Sequence, residues 1–288
     1  MEPLTTQLVL ASDASIDLQM HTTYSDGIWT PEQLIDYLVS EQFGLVAITD
    51  HDRVDTIAAL QDLAAQKQLP VLAAVEMSTS WNGREIDVLC YGVNPHKNEL
   101  QDLGQNVRHR QTENTKEVYT NLRRKGYTFR QQQEGDEEPL AAILAKPSAQ
   151  QPHALISLLE AHGYGTKEPS AGEIILEAGF FWTTNDIATV VDAAHRSEAV
   201  CLIAHPGRGR GFPCSMLDEL RQEIPIDGLE AYYPTHTAEQ RAMYLEYAQR
   251  HDLLVSSGSD SHDPDNKPIK YRAELSRRLL ERVGIQVK

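Results

Sequence analysis

Four stretches of this chain run through apolar residues and stop on acidic or imidazole side chains, and no other feature restricts its fold as tightly. They are Asp17-Leu-Gln-Met-His21, Thr49-Asp-His-Asp52, Ala204-His-Pro-Gly207 and Gly258-Ser-Asp-Ser-His262. Each closes or follows a segment whose residues favour a strand, at 16–20, 45–49, 199–204 and 253–257. Side chains just past the carboxyl ends of successive parallel strands converge on one face of an α/β barrel or open sheet. Histidine and aspartate arriving together on such a face predict a polynuclear metal site, and with it a metal-dependent hydrolase.

Helical patterns separate these strands. A helix is expected near 31–42, with Thr30 as its cap and Pro31 at the first helical position. Another is expected near 55–66, and further strands at 71–75 and 84–92. This alternation predicts a parallel sheet or barrel. It stops near His96 and resumes near Asp186. The stretch between is more polar and reads as helical, with 98–126 its longest candidate and 131–138 an acidic, solvated loop. Helices at 186–197, 215–223 and 237–251 and a strand at 227–232 then restore the rhythm. Three segments are therefore expected: a first barrel part at 1–96, a mainly helical insertion at 97–185 and a second barrel part at 186–288.

A chain of 288 residues is long enough for such a domain. Its net charge of −16, from 26 basic and 42 acidic residues, argues against binding duplex DNA by bulk electrostatics. A small anionic substrate stays open, because metal ions invert the local field. No apolar run reaches the ~18 residues of a membrane span, and the first residues do not read as a signal peptide. The expectation is a cytoplasmic protein that does not engage membranes. Cys90 and Cys201 fall inside strand-like runs and read, with Cys214, as reduced thiols.

The motifs taken in order resemble those of the polymerase-and-histidinol-phosphatase (PHP) family. The family's opening Asp-Leu-His-x-His-Ser/Thr and following Ser-Asp-Gly correspond to Asp17-Leu-Gln-Met-His21-Thr22 and Ser25-Asp-Gly27. Its Thr-Asp-His-Asp is intact at Thr49–Asp52, and its strand ending in Glu corresponds to Ala74-Val-Glu76. Pro152-His153, Ala204-His-Pro-Gly207 and Gly258-Ser-Asp-Ser-His262 supply the remainder. The resemblance implies a distorted (β/α)7 barrel with two or three divalent metal ions. By position, His21, Glu76 and Asp260 would hold one ion, and Glu76 would bridge to a second bound by His153. Asp26, His51 and His262, with His205, are the implied ligands at the remaining positions. Asp50 is implied as a ligand or as a group that orients one.

Two positions depart from that pattern. Gln19 stands where the first His of the His-x-His pair is expected, and Asp87 where a strand His usually projects. Both replace imidazole nitrogen by oxygen, which shifts the preference toward Mn²⁺ or Mg²⁺, with Mn²⁺ favoured, and away from Zn²⁺; Fe²⁺ is a further candidate. Paired ions activate water and clamp a phosphate, and the leaving alkoxide takes a proton from an unligated imidazole, for which His205 and His236 are the candidates. Arg208 and Arg210, in the glycine-rich loop after Ala204-His-Pro-Gly207, are candidates for gripping phosphate oxygens, with Lys146 a weaker one. Arg108-His-Arg110 and Arg123-Arg-Lys125 read as solvated helix charge, or as guides for an oligonucleotide; Phe180-Phe-Trp182 reads as packing, or as a base-stacking surface.

Phosphoester hydrolysis by a metal-activated hydroxide is thus the expected chemistry. Within the resembling family the helical insertion points to the nucleoside 3′,5′-bisphosphate phosphatases and the enzymes that trim short 5′-phosphorylated RNA. A histidinol-phosphate-type phosphatase and a catalytically degenerate PHP-fold binding or regulatory protein are the alternatives.

Overall fold

A computed structural model describes residues 4–129, 138–209 and 211–288. The chain opens with β1 (Val9–Leu10), β2 (Ser15–Asp17), α1 (Pro31–Ser40), β3 (Leu45–Val46), α2 (Ile57–Ala65), β4 (Ala74–Trp81) and β5 (Arg84–Tyr91). Helices α3 (Leu100–Arg124), α4 (Pro139–Leu144), α5 (Gln151–Ala161) and α6 (Ala171–Glu177) follow. Next come β6 (Asn185–Asp186), α7 (Ile187–Arg196), β7 (Val200–Ile203), α8 (Cys214–Glu223) and β8 (Gly228–Tyr232). The last elements are α9 (Ala238–Arg250), β9 (Leu254–Ser257), β10 (Tyr271–Arg272), α10 (Arg277–Arg282) and β11 (Gln286–Val287). Two compact units result: Met1–Gly104 with Thr184–Lys288, and Gln105–Thr183.

The first unit is a mixed α/β fold. One sheet has the order β6-β4-β5-β7-β8-β9, a second β10-β2-β3, and β1 pairs with β11. Neighbours β7, β8 and β9 are parallel, as are β2 and β3. The ladders do not form the single closed parallel barrel expected from the alternation: β5 runs antiparallel to both β4 and β7. The cause is local. Asn82 and Gly83 join β4 to β5 with φ of 49° and 74°, the left-handed pair that makes a two-residue hairpin turn. A hairpin forces its strands antiparallel. Its register sets Ser78 opposite Asp87, so Glu76 and Asp87 become diagonal neighbours on one face.

Alternation along the central strands feeds two apolar layers. Val88 and Cys90 of β5 and Cys201 and Ile203 of β7 pack with residues of α7, α8 and α9. Their neighbours Leu89, Tyr91, Val200 and Leu202 point the other way and meet Ile16, Leu18, Leu45, Leu72 and Leu254. Side chains from both larger sheets therefore share one interior. Beyond the regular ladders, single backbone bonds tie strand ends together: Leu18 N to Ser257 O at 3.0 Å, His21 N to Ser261 O at 2.9 Å and Asp52 N to Glu76 O at 2.8 Å. Helix α1 begins as its sequence predicts, with Thr30 and Gln33 in a reciprocal capping box and Pro31 in the first turn.

The second unit is helical, built on a cluster that includes Val118, Leu122, Leu155, Leu159, Ile174 and Ile175. The acidic loop read at 131–138 lies outside the described residues except for Glu138. Among the described residues no helix is long and apolar enough to cross a membrane.

Candidate metal centre

Strand ends of the first unit deliver the polar side chains, and the backbone there is held under strain. Asp52, His205 and Asp260 take φ of 56°, 29° and 55°, left-handed values that cost a non-glycine residue about 1–3 kcal/mol each. Specific bonds hold each one. Asp52 N donates to Glu76 O, His205 N to Glu230 Oε2 at 3.0 Å, and Asp260 N to Gln19 O at 2.9 Å. Gly258 lets the last approach happen: a Cβ there would stand 2.5 Å from both Gln19 Cβ and Glu230 Oε1.

The side chains meet in three overlapping groups: His21 with Asp26, His51 and His262; His21 with Glu76 and Asp260; and His51 with Glu76 and Asp87. His21 Nε2 lies 3.0 Å from Glu76 Oε2 and 3.2 Å from Asp260 Oδ1, and its Nδ1 lies 3.5 Å from Asp26 Oδ1. His51 Nε2 is 3.8 Å from both Asp26 Oδ2 and Glu76 Oε2. His205 Nε2 sits 3.1 Å from Glu76 Oε1 and 3.9 Å from Asp87 Oδ2. His262 Nε2 approaches Asp26 Oδ2 at 3.2 Å, and the His21 ring stacks between those of His262 and His51 at 4.2 and 4.9 Å.

These donors fit divalent ions. His21 is fully buried, and its ring nitrogens face carboxylate oxygens at 3.0–3.5 Å without the geometry of well-formed hydrogen bonds. His51 Nδ1 and Gln19 Oε1 are buried without a partner. Buried polar atoms left this way are costly unless something occupies their lone pairs. Two ligands at right angles on an ion with bonds of ~2.1 Å lie about 3 Å apart. The His21–Glu76 and His21–Asp260 separations have that length. Gln19 contributes differently: its Nε2 donates to Glu76 Oε2 at 3.0 Å and to Asp260 Oδ1 at 3.4 Å.

The electrostatics separate two kinds of carboxyl. Burial alone would raise Asp26, Glu76 and Asp260, but the surrounding imidazoles outweigh it and hold all three below the usual range. Burial lowers His51, but Glu76 and Asp26 overcome it and push its pKa up to about 9. His21 and His205 are raised in the same way. Asp87 rises, first through burial and then through Glu76. Asp17 and Asp52 are pushed up to about 7 by burial, and Glu230 well above its usual value by burial and then by Asp260.

The remaining candidates fall in distinct places. Asp50 is saturated: Oδ1 accepts from Thr22 N and Ser25 Oγ, and Oδ2 from Thr22 Oγ1, all at 2.7 Å. His236 uses both ring nitrogens on backbone, Nε2 accepting from Gly207 N at 2.9 Å and Nδ1 donating to Ala231 O at 3.1 Å. Its imidazole is thereby fixed in the neutral form with no lone pair to spare. Arg208 is exposed, with Nη1 3.7 Å from Asp260 Oδ2. Arg210 lies outside the described residues. Lys146 and His153 belong to the second unit, where His153 lies in the first turn of α5 with its ring 6.4 Å from Trp182.

Two residues of the site were not singled out from sequence. Tyr233 donates its hydroxyl to Asp260 Oδ2 at 3.0 Å, and Glu230 accepts from the His205 backbone inside β8. A charged residue in the middle of the apolar run 228–232 was the available signal for Glu230. His195, Cys201 and Asp227 also gather, but Asp227 Oδ2 already accepts from His195 Nε2 and Cys201 N, each at 2.8 Å.

No family model matches the chain. It is 25% identical over 258 residues to the 3′,5′-nucleoside bisphosphate phosphatase of Chromobacterium violaceum, covering 87% of this chain and 88% of that protein. It is 26% identical over 263 residues to the 5′-3′ exoribonuclease Rnm of Escherichia coli, covering 86% and 85%. In fold it matches a metal-dependent phosphoesterase structure from Bifidobacterium adolescentis with a TM-score of 0.72, at 24% identity over 93% of this chain and 96% of that one. Along most of its length the chain is similar to a nucleoside bisphosphate phosphatase and to 5′-3′ exoribonucleases.

Proposed function

We propose that this chain hydrolyses a phosphomonoester of a nucleotide, either a nucleoside 3′,5′-bisphosphate or the 5′-phosphorylated end of a short RNA. It is a phosphoric ester hydrolase, in keeping with relatives that act as phosphatase and exoribonuclease over more than four-fifths of its length. The observation that carries the reading is the buried His21, whose two nitrogens lie 3.0–3.5 Å from the carboxylates of Asp26, Glu76 and Asp260.

Two or three divalent ions are the proposed cofactors, with Mn²⁺ favoured because carboxylates outnumber imidazoles in the groups around Glu76. When bound, such ions supply a water nucleophile at neutral pH and quench charge on the phosphoryl oxygens. His21, Glu76 and Asp260 would hold one ion, Asp26, His51 and His262 with His21 a second, and Glu76, His51 and Asp87 a third, with Glu76 common to two of these groups. Tyr233 orients Asp260. Asp50 acts through Thr22 and Ser25, holding the loop that carries His21 and Asp26. His236 plays a matching part on the other side by fixing Gly207, which leaves His205 as the imidazole to hold a proton at the leaving oxygen. The exposed guanidinium of Arg208, near Asp260, would take a phosphate oxygen. We read the two larger sheets, which share one apolar interior, as a distorted barrel around this site, in a protein of the cytoplasm.

The test is a manganese-supplemented screen against 3′-phosphoadenosine 5′-phosphate, mononucleotides, histidinol phosphate and a short 5′-phosphorylated RNA, with bound metal measured in the same preparation. Phosphate release from the bisphosphate, or mononucleotides from the RNA, is expected. Metal-loaded protein inert toward every substrate would overturn the proposal.

A further inference from the structure

The second unit carries a surface of a different kind, contained within its own residues. A groove of about 600 Å³ runs along α3, lined by Arg110, Lys116, Glu117, Asn121, Arg124 and Phe181 among others. Positions 110, 114, 117, 121 and 124 recur at the spacing of one helix face. Arg110 and Arg124 are fourteen positions apart, about 21 Å along the axis.

The opposite wall is the turn after α6, which is tied down firmly. Asn121 Nδ2 donates to Ala178 O at 2.9 Å, Asn114 Nδ2 to Gly179 O at 3.0 Å, and Phe181 N to Asn114 Oδ1 at 3.3 Å. Thr183 closes the turn by donating its N–H to Gln111 Oε1 at 3.2 Å. On this fixed turn Phe181 is 56% exposed and Trp182 43% exposed. An exposed aromatic ring on a turn tied down in this way, lining one groove with two arginines, matches what stacks a base and pairs with phosphates.

Charge agrees with an anionic single strand as occupant. Residues 105–183 carry nine basic and ten acidic side chains, against seventeen and thirty-two in the rest of the chain. The helical unit is thus almost neutral in a chain of net −16. Of the two glutamates in the groove, Glu113 is paired with Lys116 at 2.7 Å.

We propose that this groove is a binding surface for single-stranded RNA, with Phe181 stacking on a base and Arg110 and Arg124 pairing with phosphates. The choice of RNA over other anions rests on the nucleotide reading of the metal centre. The surface would give a short RNA a hold that a mononucleotide does not need.

Anisotropy of a fluorescein-labelled ten-nucleotide adenosine RNA with phosphorothioate linkages, titrated with the full chain, tests this. Phe181→Ala is expected to raise Kd ten-fold or more, with Phe181→Tyr restoring binding. Arg124→Ala should reduce the slope of log affinity against log salt by about 0.7, the loss of one phosphate contact. Turnover of 3′-phosphoadenosine 5′-phosphate, measured on the same samples, should be unchanged in all three variants. A ten-mer that fails to bind the parent chain, or binds Phe181→Ala and Arg124→Ala as tightly as the parent, overturns the surface. Phe181-dependent binding by a parent chain that hydrolyses no nucleotide would support the surface and count instead against the proposed activity.

Discussion

Asp26, Glu76 and Asp260 are surrounded by imidazoles, whereas Asp17, Asp52 and Glu230, buried in the same unit, face backbone amides. Asp17 accepts from Ser259 N and Ile269 N at 2.9 Å each, Asp52 from Ser78 N at 3.1 Å and Glu230 from His205 N at 3.0 Å. Burial pushes all six upward, but only the first three have imidazoles enough to reverse the sign. The lesson is that burial alone does not mark a ligand. Charge held ionised by neighbours that a cation can replace is what separates the candidate metal centre from the scaffold around it.

The strongest way to break that distinction is Asp260→Asn, which keeps the shape and removes the charge. Asp260 meets His21, Tyr233 and Arg208, so its loss should release one ion and lower turnover by orders of magnitude. Even groups that only orient a ligand are worth ~10–100-fold in metal affinity, so direct removal should cost at least that. Metal content by mass spectrometry and phosphate-release kinetics read both effects. A variant with a full metal complement and normal rate would remove Asp260 from the centre.

A second prediction uses pH on metal-free protein. His51 has its pKa raised to about 9 from 6.5, so its attraction to the carboxylates is fully present below 6.5 and is lost as pH rises through 9. His21 and His205, raised as well, add to the same slope. Asp17 and Asp52, raised to about 7, also remove stability as pH climbs from 3.8, but their share is mostly spent by pH 7. Metal-free protein should therefore lose about 2 kcal/mol between pH 7 and 9 through His51 alone. Protein loaded with manganese should stay nearly flat there, because the cation does what the protons did. Denaturant titrations across that window decide, and equal slopes with and without metal would contradict the ligand assignment of His51.

Much of the centre was legible because strand ends leave a clear mark: apolar runs stopping on His21, His51, Glu76, His205, Asp260 and His262 come together as their order implied. What the pattern hid were the direction of β5 and the parts played by side chains inside strands. Asn82-Gly83 is a strong hairpin signal, yet a reading centred on βα alternation passes over it, and a single turn then reverses a strand. The pairs β1–β11 and β10–β2 are two residues long, too short for any period to show. Asp50 reads from sequence as a ligand or an orienting group and His236 as a proton donor, and only their hydrogen bonds show that Asp50 holds Thr22 and Ser25 while both nitrogens of His236 are used on backbone. Gln19 can be read from sequence as a carbonyl ligand or as a hydrogen bonder to the ligands, and its amide nitrogen meets the carboxylates of Glu76 and Asp260.

The smallest expected effect tests the scaffold side of the comparison. Glu230 is fully buried, its Oε1 has no hydrogen-bond partner and its carboxyl is raised well above 4.5, so folding disfavours its charged form. That contribution to stability is complete below pH 4.5 and is lost as pH rises toward the folded value, since the unfolded carboxyl ionises first. Glu230→Gln cannot ionise and still offers an oxygen to His205 N. The variant should match the parent near pH 4 and become relatively more stable as pH increases, with turnover changed by only a few-fold. A hundred-fold loss of turnover with a full complement of metal would move Glu230 out of the scaffold and into the reaction. In that case the imidazoles around a carboxylate would no longer be what tells a ligand from its support.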